Sequence, residues 1–302
     1  METYTALLNP IAGGGRAAET WRPIGDSLVE SGHRVQVIET RGRDHAIEAA
    51  AAAAGHGDLV VAVGGDGMVR DAASGVVPEG GRLGIVPAGR GNDFARTLGL
   101  PGDAPALTRI LREGATRSID VLEVNGFMVP GNVYVGIDAA ATAVINGNRW
   151  MPAALLYRLA PVRAILTWRA PTYELCVDGV ARSVRAHTVV VGNSGAYGHG
   201  LCIVPSARLD DGAMHVLVVG DGPRTEIVKF MRDAKTGVHV DRPEVSIETA
   251  TELTIGADRP LALCADGDQI GELPATVRIR QAALDVIALR APLNRSGPVS
   301  PR

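Results

Sequence analysis

Along the first third of the chain, short apolar runs alternate with alanine-rich stretches whose hydrophobic positions recur at helical spacing. The runs Tyr4 to Leu8, Arg34 to Ile38, Leu59 to Val63 and Leu83 to Val86 predict strands. The stretches Ala17 to Ser31, His45 to Ala54 and Val69 to Val77 predict helices between them. A βαβαβαβ order implies a mostly parallel sheet with helices on both faces, because parallel neighbours need a crossover connection. Ligands of such sheets bind beyond the carboxyl ends of the strands. From about Val121 the pattern changes to closely spaced strand candidates: Asp120 to Val124, Tyr173 to Val177, Thr188 to Gly192, Met214 to Val219, Leu253 to Ile255, Leu261 to Cys264, Thr276 to Ile279 and Leu284 to Ala288. The expected fold class is therefore α/β plus all-β. A Rossmann-like parallel-sheet domain is expected over residues 1–120 and a β-rich domain over 121–292, with room for its end to pack back on the first domain. The segment 293–302, with two prolines in LNRSGPVSPR, is expected to be a flexible tail.

One stretch departs from the strand pattern. Between Trp150 and Trp168, Leu155, Leu159, Val162 and Leu166 share a helical face, Arg149, Arg158, Arg163 and Arg169 surround them, and Pro161 predicts a break or kink. Two readings stand: a helix packed on its own sheet, the usual meaning of an apolar stripe, and a basic amphipathic helix lying on a membrane surface.

Composition narrows the partners. Thirty-three acidic against 30 basic residues give a net charge of -3, which leaves no basic footprint for a nucleic-acid backbone. Lys229 and Lys235 are the only lysines, and neither sits in a glycine-rich strand-to-helix turn, so Walker-type and protein-kinase nucleotide sites are excluded. Cys176, Cys202 and Cys264 have no metal-ligand spacing and read as packing thiols of a reducing compartment. No stretch approaches the ~20 apolar residues of a membrane span, and the first residues lack the basic start of a targeting signal. A cytoplasmic protein without a transmembrane segment is expected. His187, His199, His215 and His239 lack metal spacing and read as structural, with His199 singled out because it lies in the glycine-rich Tyr197 to Gly200. Ser194 has no Gly-x-Ser-x-Gly elbow around it.

Three glycine-rich turns follow three of the predicted strands: Asn9 to Gly15, Gly64-Gly65-Asp66-Gly67, and Pro87 to Phe94 with Gly89, Arg90, Asn92 and Asp93. Glycine lets the backbone approach a ligand, so that consecutive amides point at phosphate oxygens, and a helix N-terminus after each turn favours an anion. A single such turn is as readily a plain βα connection; three at one sheet edge argue for a phosphate site. Asp66, between glycines at a strand end, suits either a magnesium ligand or an acceptor for the proton of an attacking hydroxyl, and helix capping stays open as its structural role.

These turns resemble the diacylglycerol kinase catalytic family, which includes sphingosine kinases and bacterial lipid kinases. Asn9-Pro10 with its glycines, GGDG before a helix, and VPAGRGNDFAR carry the likeness. It continues in order through Asn132 to Ala139, Gly192-Asn193-Ser194, Tyr197-Gly198, Pro205 to Gly212, and Asp266-Gly267-Asp268. GGDG alone is shared with NAD kinases and phosphofructokinases; the later motifs favour the lipid kinases.

The resemblance implies a nucleotide-binding α/β domain followed by a β-sandwich, with ATP and a lipid meeting in the cleft between them. It places Thr40, Gly64, Gly65, Asp66, Gly67, Met68, Val69, Arg70 and Arg90 at the nucleotide. It makes Asp268 the candidate general base and Asp66 an organiser of nucleotide or metal. It maps a structural magnesium site to the Asp211 side chain with the carbonyls of Arg208 and Ala213. The implied activity is an ATP- and Mg2+-dependent lipid kinase acting on a hydroxyl of diacylglycerol or a related lipid at the membrane's inner face. Alternatives are a sphingoid-base or other lipid-alcohol kinase, and a degenerate member that binds nucleotide or lipid without turnover. Exposed strand edges in the second half leave a homodimer open.

The chain departs from the family pattern at Met68 and Arg90, where threonine is usual, at Arg70 and Asp71, where Asn and Glu are usual, and at Asp268, where Glu is usual. Arginine can replace a hydroxyl donor at phosphate, so Arg70 and Arg90 are the candidates for that substitution.

Overall fold

The structure, a computed structural model, describes residues 1–147, 167–198 and 200–289. Most of the stretch from Trp150 to Trp168, His199 and the tail lie outside the described residues.

Strands β1 (Thr3–Leu8), β2 (Arg34–Glu39), β3 (Leu59–Gly64) and β4 (Arg82–Pro87) pair in parallel in the order β2-β1-β3-β4. Between them run α1 (Ala17–Glu30), α2 (Arg43–Gly55) and α3 (Asp66–Val76); α4 (Asp93–Thr97) and α5 (Ala104–Glu113) follow. Every residue of β3 is buried, as a central parallel strand covered on both faces requires. One face packs on Trp21, Ile24 and Leu28 of α1 and on Leu107, Ile110 and Leu111 of α5. The other packs on the alanines of α2 and on Val69, Ala72, Ala73 and Val76 of α3. The last two helices approach closely because their contact residues are small: a Cβ on Gly75 would lie 2.3 Å from the Ile47 carbonyl oxygen and 2.7 Å from Ala50 Cβ. α5 starts where its sequence says it should, with Asp103 Oδ1 accepting the Ala106 N–H at 2.9 Å and proline in the first turn.

The second half is built from β5 (Ala115–Val124), β6 (Phe127–Val129), β7 (Asn132–Gly136), α6 (Ile137–Gly147), β8 (Thr172–Val177), β9 (Val180–Gly192), β10 (Met214–Gly220), α7 (Arg224–Asp233), β11 (Val245–Ala250), β12 (Glu252–Ala257), β13 (Ala262–Ala265), β14 (Asp268–Glu272) and β15 (Ala275–Ala288). It forms a β-sandwich. The first part of β9 pairs with β8, which continues through β12 to β15; the second part pairs with β7 and β10 in a layer ordered β14-β13-β7-β9-β10-β11. Val133, Val135, Val189, Val191, Leu253, Ile255, Leu263 and Val277 fill the space between the layers.

Two strand candidates of the sequence, Thr276 to Ile279 and Leu284 to Ala288, are one strand. β15 carries an irregularity between Arg280 and Leu284, where Ala282 adopts φ +46°. Its first part pairs with β12; its second part pairs in parallel with β4, while β5 runs antiparallel along most of it. The division at residues 120 and 121 thus falls inside β5, and β15 joins the two halves.

Candidate active site

A cavity of about 450 Å³ opens where the carboxyl ends of β1, β3 and β4 face the β13–β14 turn and the start of β7. The three glycine turns form its floor and are held against one another by contacts that exclude side chains. A Cβ on Gly13, whose φ is +59°, would lie 2.5 Å from the Ala88 carbonyl oxygen, and one on Gly89 would lie 2.3 Å from Gly65 Cα. In the first turn Asn9 Oδ1 accepts the Ile11 N–H at 3.1 Å. In the third, Asn92 adopts φ +54° and closes the turn on Gly89, accepting its N–H at 2.9 Å and donating to its carbonyl at 3.1 Å.

Asp66 opens α3, and its Oδ1 accepts the Phe94 N–H at 2.9 Å, so it caps the start of α4 rather than its own helix. Burial raises its pKa, the Phe94 bond opposes that, and the neighbouring Asp93 charge adds to it. Asp93 is itself paired with Arg96.

The second half delivers its carboxylates on a two-residue hairpin. Asp266 (φ +47°) and Gly267 (φ +90°) form the turn between β13 and β14, the geometry for which Asp-Gly is suited. Asp266 Oδ1 accepts the Asn132 N–H at 3.0 Å beside Gly131, where a Cβ would clash. Burial, with the Asp66 charge next in weight among the upward effects, pushes its pKa up to about 8. Asp268 Oδ2 would lie 2.6 Å from a Cβ on Gly67, so glycine there lets this carboxylate settle over the first turn of α3.

Of the sequence candidates, Asn9, Gly65, Asp66, Gly67, Met68, Gly89, Arg90, Asp93 and Asp268 line the cavity. Gly64, Thr40, Val69, Arg70 and Asn92 do not. The Thr40 hydroxyl donates to the Leu8 carbonyl at 3.3 Å in a buried position, Val69 belongs to the core, and a Cβ on Gly64 would meet Met68. Arg70 corrects the sequence reading: its guanidinium is buried with Asp71 and the Ala265 carbonyl, so it does not stand in for a hydroxyl at phosphate. Arg90 is exposed and lines the cavity. Asp211, Arg208 and Ala213 lie apart from the cavity. Asp211 Oδ1 accepts the Ala213 N–H at 3.2 Å and its Oδ2 lies 3.0 Å from His215 Nε2.

The sequence reading assigned no role to Asp266, Tyr134, Tyr197 or Asp120. Tyr134 and Tyr197 stack at 5.1 Å on the cavity wall, and the Tyr197 hydroxyl donates to buried Asp138. Asp120 accepts the Gly212 and Ala282 amides, each at 2.7 Å, and so ties the 208–213 turn to β15. Tyr134, Tyr197 and Asp266 lie in the motifs Asn132 to Ala139, Tyr197-Gly198 and Asp266-Gly267-Asp268, which were the available signals; nothing local marks Asp120.

Residues 3–124 match the family model of the diacylglycerol kinase catalytic domain, and residues 131–288 match that of the YegS C-terminal NAD kinase beta sandwich-like domain. A curated Mycobacterium tuberculosis protein named diacylglycerol kinase is 34% identical over 300 residues, covering 95% of each chain. This chain belongs to the diacylglycerol kinase family. A Staphylococcus aureus diacylglycerol kinase is 26% identical over 295 residues, covering 93% of this chain and 91% of that one. A solved structure described as a diacylglycerol kinase from Bacillus anthracis shares the fold at a TM-score of 0.76 and 20% identity, covering 96% of this chain and 97% of the other.

Family membership makes the chain a lipid kinase, and a kinase implies a nucleotide as phosphate donor. The glycine floor fits that requirement, since its backbone comes within reach of a ligand that side chains would keep away. The lining offers the hard oxygen donors a divalent cation takes, in Asp66, Asp93, Asp266 and Asp268, although among the described residues no three His, Cys, Asp or Glu side chains are grouped so as to hold one unaided. Magnesium suits such a lining because it keeps several waters and takes one or two carboxylates plus substrate phosphates. Among the described residues no helix is long and apolar enough to cross a membrane.

Proposed function

We propose that this chain transfers the γ-phosphoryl group of ATP, with magnesium, to a hydroxyl of diacylglycerol or a related lipid presented at a membrane surface. The observation that carries the reading is the position of Asp268. A carboxylate from the second half sits over Gly67, in the second glycine turn at the N-terminus of α3.

In this reading the amides of the three turns and the N-terminus of α3 hold the phosphates, and Arg90 adds a cation at the rim. Asp66, with Asp93 beside it, would hold magnesium, which when bound draws charge from the phosphate oxygens. Asp268 accepts the proton of the lipid hydroxyl as its oxygen bonds to the γ-phosphorus and the bond to the bridging oxygen breaks, releasing ADP. The stacked Tyr134 and Tyr197 wall the cavity from the sandwich side, where the acceptor enters.

The test is transfer of label from ATP, with magnesium, to diacylglycerol, monoacylglycerol, sphingoid base, ceramide and phosphatidylglycerol in mixed micelles. D268A is expected to lose at least ~100-fold in kcat while ATP still raises its Tm. An unchanged kcat removes Asp268 as base. Labelling of sphingoid base alone selects the sphingoid-base kinase, and ATP-dependent stabilisation with no labelled acceptor selects a nucleotide sensor. A magnesium site at Asp211, Arg208 and Ala213 is proposed separately. Magnesium is expected to raise the Tm of the wild type and not of D211A, and equal shifts would reject the site.

A further inference from the structure

Among the described residues Arg70 has the largest fully buried side chain, at 1% exposure. A guanidinium keeps its charge at any working pH, so at that depth it must be paired, and leaving it unpaired would be strongly destabilising. Its partners are known atom by atom. Nε and Nη2 both donate to Asp71 Oδ1, at 3.0 and 2.7 Å; Nη1 donates to the Ala265 carbonyl at 3.0 Å; Nη2 lies 3.5 Å from Asp268 Oδ2. Arg43 closes the outer side of Asp71 at 4.0 Å, and both guanidiniums face the Phe127 ring. Two arginines thus meet two carboxylates, and the second carboxylate comes from the β13–β14 hairpin, 198 positions along the chain.

The asymmetry of the distances matters. Asp71 alone takes the short, two-pronged contact, whereas Asp268 is met at the outer limit of a hydrogen bond. A carboxylate that takes up a proton must be oriented toward the atom that gives it. Gly67 bounds Asp268 Oδ2 on one side and Arg70 on the other, and Ala265, which Arg70 also grips, is the residue before the hairpin turn.

The same three positions are among the five at which the chain departs from the family pattern, the others being Met68 and Arg90. Asp71 and Asp268 are each one methylene shorter than glutamate, and the long cation of Arg70 stands between them in place of a short amide. We propose that Arg70 is the positioning residue for Asp268: it clamps the β13–β14 hairpin onto α3 so that the shortened carboxylate reaches the lipid hydroxyl. This rests on Asp268 being the general base.

The experiment uses the full chain and the labelled-ATP assay with the acceptor found to be phosphorylated. R70M is expected to lower kcat by ~10–100-fold, as a base displaced by about an ångström does, with KM for ATP and lipid within about twofold of wild type. R70K, which keeps the charge but loses the fork, is expected to fall between R70M and wild type. R70M/D268A is expected to be no slower than D268A, because both changes act on one group. The triple variant R70N/D71E/D268E, which installs the family's usual set, is expected to recover kcat to within ~10-fold of wild type.

A wild-type kcat for R70M, or an R70M/D268A loss equal to the product of the single losses, overturns the proposal. If D268A itself keeps full kcat, the base assignment fails and the proposal falls with it. If D268A is inactive while R70M is unaffected, the positioning role alone fails. Should R70M give no cooperative melt, the cycle is run with R70K, and an R70K kcat equal to wild type then overturns the proposal.

Discussion

Asp266 illustrates how a residue's role is set by what surrounds it. Its pKa of about 8 arises first from burial and then from the Asp66 charge, against the pull of the Asn132 amide. A carboxyl whose folded pKa lies above its unfolded value favours the fold fully below the unfolded pKa and loses that contribution as pH rises through the folded one. In nucleotide-free protein with chelator, the wild type should therefore lose Tm between about pH 4 and 8 relative to D266N, whose amide oxygen keeps the Asn132 bond without the charge. Parallel Tm curves for the two proteins would show that Asp266 is not the group responsible. Much of the residue-level site was legible: the glycine turns, Asp66, Arg90 and Asp268 all reach the cavity. Arg70 was not, because position along a helix says that a side chain lies near the turn but not whether it points to ligand or to core. Its partners Ala265 and Asp268 lie almost two hundred positions away.

At the scale of elements, periodicity located β1 to β4 and their helices to within a few residues, because the buried strands β1, β3 and β4 read as apolar runs between helical stripes and the edge strand β2 as an alternating one. It failed for β6, β11 and β14, which are short or half-exposed and have no continuous apolar run, and for β7, which is buried but only five residues long. The α2–α3 contact shows what sequence hides. Gly75 reads as a weak spot in a helix, yet it is the site of closest approach to α2. G75A should gain helix propensity and nonetheless destabilise by about 1–3 kcal/mol, since the added methyl meets backbone atoms that have no free rotamer to escape into. A rise in denaturation midpoint for G75A would show that the helices separate at little cost.

Across the whole molecule, β15 decides how independent the halves are. It borders β12 in the sandwich and β4 in the parallel sheet, and β5 accompanies it. The halves are therefore expected to unfold together. Tryptophan variants that retain Trp21, buried under the parallel sheet, or Trp168, buried beside the sandwich, should melt with coincident midpoints. V286P removes an amide from the segment that pairs with both Leu83 and Arg117, and it should lower stability by ~3 kcal/mol or more at both reporters. A melt in which only the Trp21 signal shifts would show that the halves fold separately. The sequence reading left room for the end of the chain to pack back on the first domain but not for one strand serving both halves, because two apolar runs around Ala282 look like two strands when the irregular residues between them carry no apolar signal.

The shared strand also sets an order in time. A ribosome delivers β4 some two hundred residues before the strand that will lie against it, so a growing chain carries an open parallel edge, with β5 waiting beside it, through most of its synthesis. The glycine-turn floor of the cavity can form early, but the sheet beneath it is closed only when residues 285–288 have been added, and Asp268, the base in the proposed mechanism, emerges within the same late stretch. On the proposed mechanism phosphoryl transfer would thus be withheld from unfinished chains, and the open edge is the place where a holding chaperone would find them.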